Sequence, residues 1–201
     1  ELLNKTDAEV NTKVSAAFQQ LFYGNTTQQL YYPVGTDMAY ILDVANNDVR
    51  TEGMSYGMMI CVQLDKKSEF DKIWKWAKTK MQRTDGFFNW QLNTDGSIKG
   101  NGPASDGEAY FITSLLFAEN RWGNGTGILN YGAEAQNILT KVLAQICLMR
   151  LQNLSHLFQA EIHILIPTHH IIYQDFLNAG NDGALPIAPF GLPHQTQPEN
   201  C

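Results

Sequence analysis

Apolar positions recur every three to four residues in five stretches of the chain, and the segments between them are polar and rich in glycine, asparagine and threonine. In residues 7–21 the apolar side chains are Val10, Val14, Ala17, Phe18 and Leu21, the spacing of one helix face, with Thr6 or Asp7 as its N-cap. Residues 24–48 read as loop, with a short apolar run at Ala39, Tyr40, Ile41 and Leu42. A second helix starts at Thr51 or Glu52 and runs through Met58, Ile60 and Val62. The third spans 68–80, with Phe70, Ile73, Trp74 and Ala77 on one face and Lys72, Lys75 and Lys78 mostly on the other. Residues 83–103 form a polar, glycine-rich connection, and a loop of that length inside a compact domain usually carries function. A fourth helix covers 105–119 with Tyr110, Ile112, Leu115 and Leu116, and its Ser105 and Glu108 have capping-box spacing. A fifth starts near Tyr131 and contains Ala135, Ile138, Leu139 and Val142. With no βαβ pattern and no sustained alternation, the predicted class is all-α.

Composition divides the chain after Ala144. Residues 1–144 hold 13 of the 14 Lys and Arg and 16 of the 20 Asp and Glu, whereas all five His and five of the seven Pro follow. Residues 1–144 therefore read as a globular domain and 145–201 as a tail of different character. A net charge of -6 argues against nucleic acid as a partner, which needs clustered Lys and Arg. No apolar run approaches the length of a membrane span, and none is expected. Cys61, Cys147 and Cys201 are too scattered for a disulfide framework or a zinc site.

Two segments carry candidate chemistry. In DVRTEGMSYGMM, residues 48–59, Glu52 sits where a loop meets a helix, beside Gly53 and Gly57, which permit close approach of backbone or ligand. In GPASDGEAYF, residues 102–111, Asp106 and Glu108 lie at a second loop-to-helix junction. Either set of carboxylates alone is better explained as first-turn acids or caps. Between them lies FFNW, residues 87–90, whose rings either anchor the loop in the core or present a face to a sugar. Together, two carboxylates flanking an aromatic loop suit glycoside hydrolysis. That reaction needs a protonated acid at the glycosidic oxygen and, in an inverting enzyme, a base on the opposite face of the sugar.

These runs, with FNWQ, with GTDMAYILD before the first and FDKIWKWAK after it, resemble glycoside hydrolase family 8 over residues 8–143. The likeness is greatest to the branch acting on xylan and xylo-oligosaccharides, including reducing-end xylose-releasing exo-oligoxylanases. The resemblance implies an (α/α)6 barrel, present here incompletely, and cofactor-free, metal-free hydrolysis of β-1,4 bonds with inversion. By motif, it implies Glu52 as general acid and Asp106 as the carboxylate that grips and distorts the sugar. It implies Trp90 as groove lining, with Tyr56 and Arg50 as further cleft contacts. The implied partner is a β-1,4-linked oligosaccharide or polysaccharide, xylan-derived, with β-glucan, cellulose or chitosan as alternatives within the family.

The resemblance stops short of two family features: the motif whose tyrosine positions the attacking water, and the later aspartate that serves as general base. Neither is found in this sequence, so an inactive remnant with weak sugar binding is the further alternative. Residues 167–176, PTHHIIYQDF, fall where the water-positioning motif belongs, and read one base out of phase their codons could encode it. A frameshift near residue 144 is therefore expected. His163, His169 and His170 show no metal spacing, and Asp175 and Asp182 are not placed to replace the base. Residues 1–10 contain no signal-peptide core, and a bacterial cytoplasmic or secreted location is left open.

Overall fold

The structure, a computed structural model, describes residues 5–151, with side chains described to residue 146. The expectations for the tail, its histidines, Asp175 and Asp182 lie outside the described residues. The described residues up to Lys141 belong to one compact unit, and those from Val142 onward to a second. Everything below belongs to the first, except the C-terminal end of the last helix.

Five helices carry the fold: α1 (Asp7–Tyr23), α2 (Thr51–Gln63), α3 (Lys67–Trp76), α4 (Ser105–Trp122) and α5 (Tyr131–Leu151). Thr6 caps α1 as its sequence predicts. Its hydroxyl accepts from the Glu9 N–H at 3.3 Å, and the Glu9 carboxylate accepts from the Thr6 N–H at 2.8 Å. Only Phe18 and Phe22 of α1 are buried, and Phe22 stacks on Tyr31 at 5.1 Å.

The region read as loop between α1 and α2 contains a hairpin, β1 (Tyr31–Val34) and β2 (Met38–Ile41), with Tyr31 opposite Ile41. Tyr32 and Tyr40 stack across it, and Tyr40 leans on the buried Trp76 of α3. Ile41 lies against α2 so closely that a Cβ on Gly57 would stand 2.6 Å from its Cγ1. A second small antiparallel sheet joins β3 (Val49–Arg50), β4 (Gln91–Leu92) and β5 (Ile98–Gly100). The polar connection 83–103 is thus a pinned strap rather than an open loop.

Helix α2 packs against both α3 and α4, and α3 also covers β2. The core consists of Met54 and Met58 of α2, Phe70, Ile73 and Trp74 of α3, Phe111 and Leu115 of α4, and Phe88 of the strap, all fully buried. The predicted third helix is α only to Trp76, and Ala77–Met81 is a π turn whose Ala77 and Met81 are buried. α5 is fastened to α3 by polar contacts. Tyr131 receives a hydrogen bond from Lys67 at 2.7 Å and donates to Asp71 at 2.5 Å, and Lys78 pairs with Glu134 at 2.5 Å.

One predicted cap is not formed. Ala104, not Ser105, is the N-cap of α4, and no side chain caps it. The Glu108 carboxylate is instead drawn inward to accept the Phe88 N–H at 3.0 Å. Among the described residues no helix is long and apolar enough to cross a membrane.

Candidate active site

The site is built where the first turns of α2 and α4 meet. β3 runs into α2 without a loop, and the Thr51 N–H, one of the donors a helix start leaves unpaired, donates to the Trp90 carbonyl at 3.0 Å. α4 starts just after Gly102, whose φ of +101° suits glycine. At the crossing, Gly107 faces Thr51 with no room for a side chain: a Cβ there would lie 2.4 Å from Thr51 Oγ1 and 2.5 Å from its Cβ. Thr51 is buried, and its hydroxyl has no hydrogen-bond partner. Leaving such a group unpaired costs roughly 1–3 kcal/mol, offset by the packing of the two helices.

Glu52 follows Thr51 and Asp106 precedes Gly107, so this contact sets the two carboxylates side by side. Hydrogen bonding to Asp106 is the largest cause raising the Glu52 pKa, followed by burial and by the negative charge of Asp106. The Arg50 guanidinium opposes the shift, and Asp43 adds to it. Glu52 thus keeps its proton to higher pH than a free glutamate, as a general acid requires. Both carboxylates are half-buried. One turn further on, Tyr56 and Tyr110 meet edge to face with ring centroids 5.1 Å apart. Burial raises the Tyr56 phenol pKa, and Tyr110, Asp106 and Glu52 add to the shift.

Arg50 borders the pair on the strand side. Its Nε lies 3.0 Å from Asp43 Oδ2 and 3.1 Å from Asp48 Oδ1, and its guanidinium carbon is 5.5 Å from the centre of the Trp90 ring. Asp48 is 0% exposed and also binds Lys99 Nζ at 2.7 Å and Gln91 Nε2 at 2.5 Å. One buried carboxylate therefore ties together all three strands of the small sheet. Its pKa is lowered: burial pushes it up, but the hydrogen bonds of Lys99, Gln91 and Arg50 outweigh that.

Trp90 is half-buried at the end of the strap. Every backbone N–H from 88 to 90 is tied: Phe88 to Glu108, Asn89 to the Met81 carbonyl at 2.9 Å and Trp90 to the Gly102 carbonyl at 2.9 Å. The indole lies against Gly100, where a Cβ would come within 2.5 Å of it. Of the aromatic cluster, Phe88 is the core anchor, beside Phe111 and Trp74, whereas Phe87 and Trp90 are half-buried and Trp90 lies beside Arg50. Burial pushes the Glu108 carboxyl up to about 7, with Asp85 adding and the Phe88 N–H and Arg83 opposing.

The structure brings all five residues singled out in the sequence, Glu52, Asp106, Trp90, Tyr56 and Arg50, into one contiguous patch. Sequence reasoning missed the supporting members: Asp48 and Asp43 behind Arg50, Gly107 and Gly100 at the close approaches, and Tyr110. Among the described residues no group of three or more His, Cys, Asp or Glu could hold a metal ion. The arrangement offers a carboxyl whose pKa is raised, a second carboxylate beside it, and aromatic and guanidinium surface. Those are the elements of acid-catalysed cleavage of a sugar chain.

Comparison with known proteins agrees. The profile of the family described as Glycosyl hydrolases family 8 matches residues 8–150. The reducing-end xylose-releasing exo-oligoxylanase Rex8A of Paenibacillus barcinonensis is 48% identical over 141 residues, 68% of this chain and 37% of that one. A xylanase of Teredinibacter turnerae, solved as a catalytic mutant with xylohexaose, superposes with a TM-score of 0.67 at 48% identity, covering 69% of this chain and 38% of that one. Endoglucanase 2 of Ruminiclostridium josui is 31% identical over 100 residues, 48% of this chain and 21% of that one. The chain thus spans well under half the length of the relatives it matches. The solved family members are (α/α)6 barrels, and this mostly helical chain covers part of that barrel.

Proposed function

The chain belongs to glycoside hydrolase family 8, and on that premise we propose that it carries the acid-bearing part of an inverting hydrolase of β-1,4-linked xylan or xylo-oligosaccharides. Glu52 protonates the departing glycosidic oxygen, and Asp106 grips and distorts the adjoining sugar. Trp90, Tyr56 and Arg50 line the groove. The observation that carries this reading is the close pairing of Glu52 and Asp106 at two abutting helix starts, where a Cβ on Gly107 would lie 2.4 Å from Thr51 Oγ1, with the Glu52 pKa raised by that neighbour and by burial.

The same contact speaks for the division of labour. The base of an inverting enzyme stands about 6.5–9.5 Å from the acid to leave room for water. Asp106, side by side with Glu52 at the Thr51–Gly107 crossing, is too close for that role. Asp43 is engaged with Arg50. The base therefore comes from a part of the family domain outside the residues described. A chain acting without it turns over some 10²–10⁴-fold more slowly, the usual contribution of general acid–base catalysis. The family match runs past the boundary expected at residue 144, and we further propose that the residues beyond it, 151–201, lie outside the family domain and arise from a frameshift. Translation of all three frames of the coding DNA beyond codon 130 tests this, and family residues in neither alternative frame would exclude it.

The identity to exo-oligoxylanases favours xylan. The endoglucanase relative keeps β-1,4-glucan as the second reading. Calorimetric titration of the chain with xylohexaose, cellohexaose, a chitosan hexamer and the α-1,4-linked maltohexaose separates them. The proposal expects xylohexaose to bind tightest and maltohexaose not at all. Tighter binding of cellohexaose would move the assignment to glucan, and equal response to all four would remove the sugar site altogether.

A further inference from the structure

The two helix starts repeat one short pattern. Residues 51–56 read TEGMSY and residues 105–110 read SDGEAY: a hydroxyl residue, a carboxylate, a glycine and, four residues after the carboxylate, a tyrosine. On a helix, positions four apart share a face. Each helix therefore presents a carboxylate with a tyrosine one turn below it. Because α2 and α4 abut at Thr51 and Gly107, the two faces meet. Carboxylate neighbours carboxylate at Glu52 and Asp106, either side of the Thr51–Gly107 crossing, and ring meets ring in the perpendicular Tyr56–Tyr110 contact, interplanar angle 85°. Tyr56 is 48% exposed although its ring packs on Tyr110, and Tyr110 is half-buried. The pair forms a wall one helical turn, about 5.4 Å, from the carboxylates. That is the reach of a pyranose ring gripped by Asp106.

We propose that Tyr110, braced by Tyr56, is a specificity-determining residue that admits an unsubstituted pentopyranose beside the Glu52–Asp106 pair and excludes a hexopyranose. Xylose and glucose units differ at one place, the hydroxymethyl group on C5 of glucose. A rigid ring wall is the means by which a site rejects one extra carbon group, and such steric discrimination is worth about 10–200-fold. The edge-to-face contact makes the wall stiff, because each ring blocks the rotation of the other.

This inference rests on the proposed xylan-type reading, and the test keeps the two apart. Affinities of the whole chain for xylohexaose and cellohexaose are measured for the wild type, Tyr110→Phe, Tyr110→Leu and Tyr110→Ala. Tyr110→Phe keeps the ring and should retain the wild-type preference for xylohexaose, at least tenfold. Tyr110→Ala should bring the ratio close to one, mainly through tighter binding of cellohexaose. Tyr110→Leu, which keeps an apolar stem in the helix packing, should shift the ratio the same way and carries the comparison if the alanine variant does not fold. A ratio unchanged in the leucine or alanine variant, or an equal loss of both affinities, overturns the role of Tyr110 and leaves the hydrolase reading standing. Wild-type protein that binds neither sugar overturns the reading itself, and this inference with it.

Discussion

Gly107 is the residue on which the Glu52–Asp106 geometry depends, and replacing it by alanine has a calculable outcome. In an ordinary helix the change would stabilise by about 1 kcal/mol, since glycine is the poorer helix former. Here the new Cβ would sit 2.4 Å from Thr51 Oγ1, 2.5 Å from Thr51 Cβ and 3.3 Å from the Thr51 carbonyl carbon. Thr51 is short and β-branched, its N–H is held by the Trp90 carbonyl, and it cannot swing away. The first turn of α4 must instead withdraw by about 1 Å. Overpacking of this kind costs about 1–3 kcal/mol, so the clash outweighs the gain in propensity. Withdrawal also parts Asp106 from Glu52 and removes the largest cause of the raised Glu52 pKa.

The matching glycine of the other helix is the control. A Cβ on Gly53 would meet only Ile41 Cγ2, at 3.6 Å, an ordinary contact. Urea unfolding followed by circular dichroism should show Gly107→Ala destabilised by up to about 2 kcal/mol and Gly53→Ala neutral or slightly stabilised. A carboxyl NMR titration should place Glu52 of Gly107→Ala nearer its ordinary range. Gly107→Ala as stable as Gly53→Ala, with Glu52 unmoved, would refute the close crossing of α2 and α4.

Two further substitutions probe the electrostatics. Asp106→Asn removes a negative charge beside Glu52 and should lower the Glu52 pKa, read by the same NMR titration; a rise would invert the assigned cause. Glu108 is 2% exposed, with a pKa raised from 4.5 to about 7, so the stability it contributes is complete below pH 4.5 and is lost as pH rises through 7. At about 1.36 kcal/mol per pH unit the loss amounts to up to roughly 3 kcal/mol. Denaturant unfolding from pH 4 to 8 should therefore find Glu108→Gln, which keeps an acceptor for the Phe88 N–H, gaining on the wild type as pH rises. A constant difference across that range would count against a buried, titrating Glu108.

The helices were legible because their apolar faces are continuous: Val10, Val14 and Phe18 in α1, and Phe70, Ile73 and Trp74 in α3, follow the helical repeat. The five strands were not, because none exceeds four residues and β1 contains Pro33, leaving no alternation to detect. Ser105 and Glu108 have the spacing of a capping box, but a spacing does not reveal a competing donor, and the Phe88 N–H took the carboxylate. Glu52 and Asp106 were recognisable as acids at helix starts, whereas their meeting across 54 positions depends on the bare Cα of Gly107. The repeated TEGMSY and SDGEAY segments were the available signal for that pairing and for Tyr110. Asp48 gave no signal, since its importance lies in its partners on β3, β4 and β5.

The central claim is that the abutting starts of α2 and α4, with the Trp90 strap, hold a β-1,4-linked xylose chain. Amide chemical-shift mapping of the labelled chain during titration with xylohexaose tests it most directly. The account predicts saturable shifts confined to residues 50–56, 88–91 and 104–110, lost in Trp90→Ala. Shifts centred elsewhere, such as on the Tyr32–Tyr40 hairpin, or shifts that survive Trp90→Ala unchanged, would contradict it.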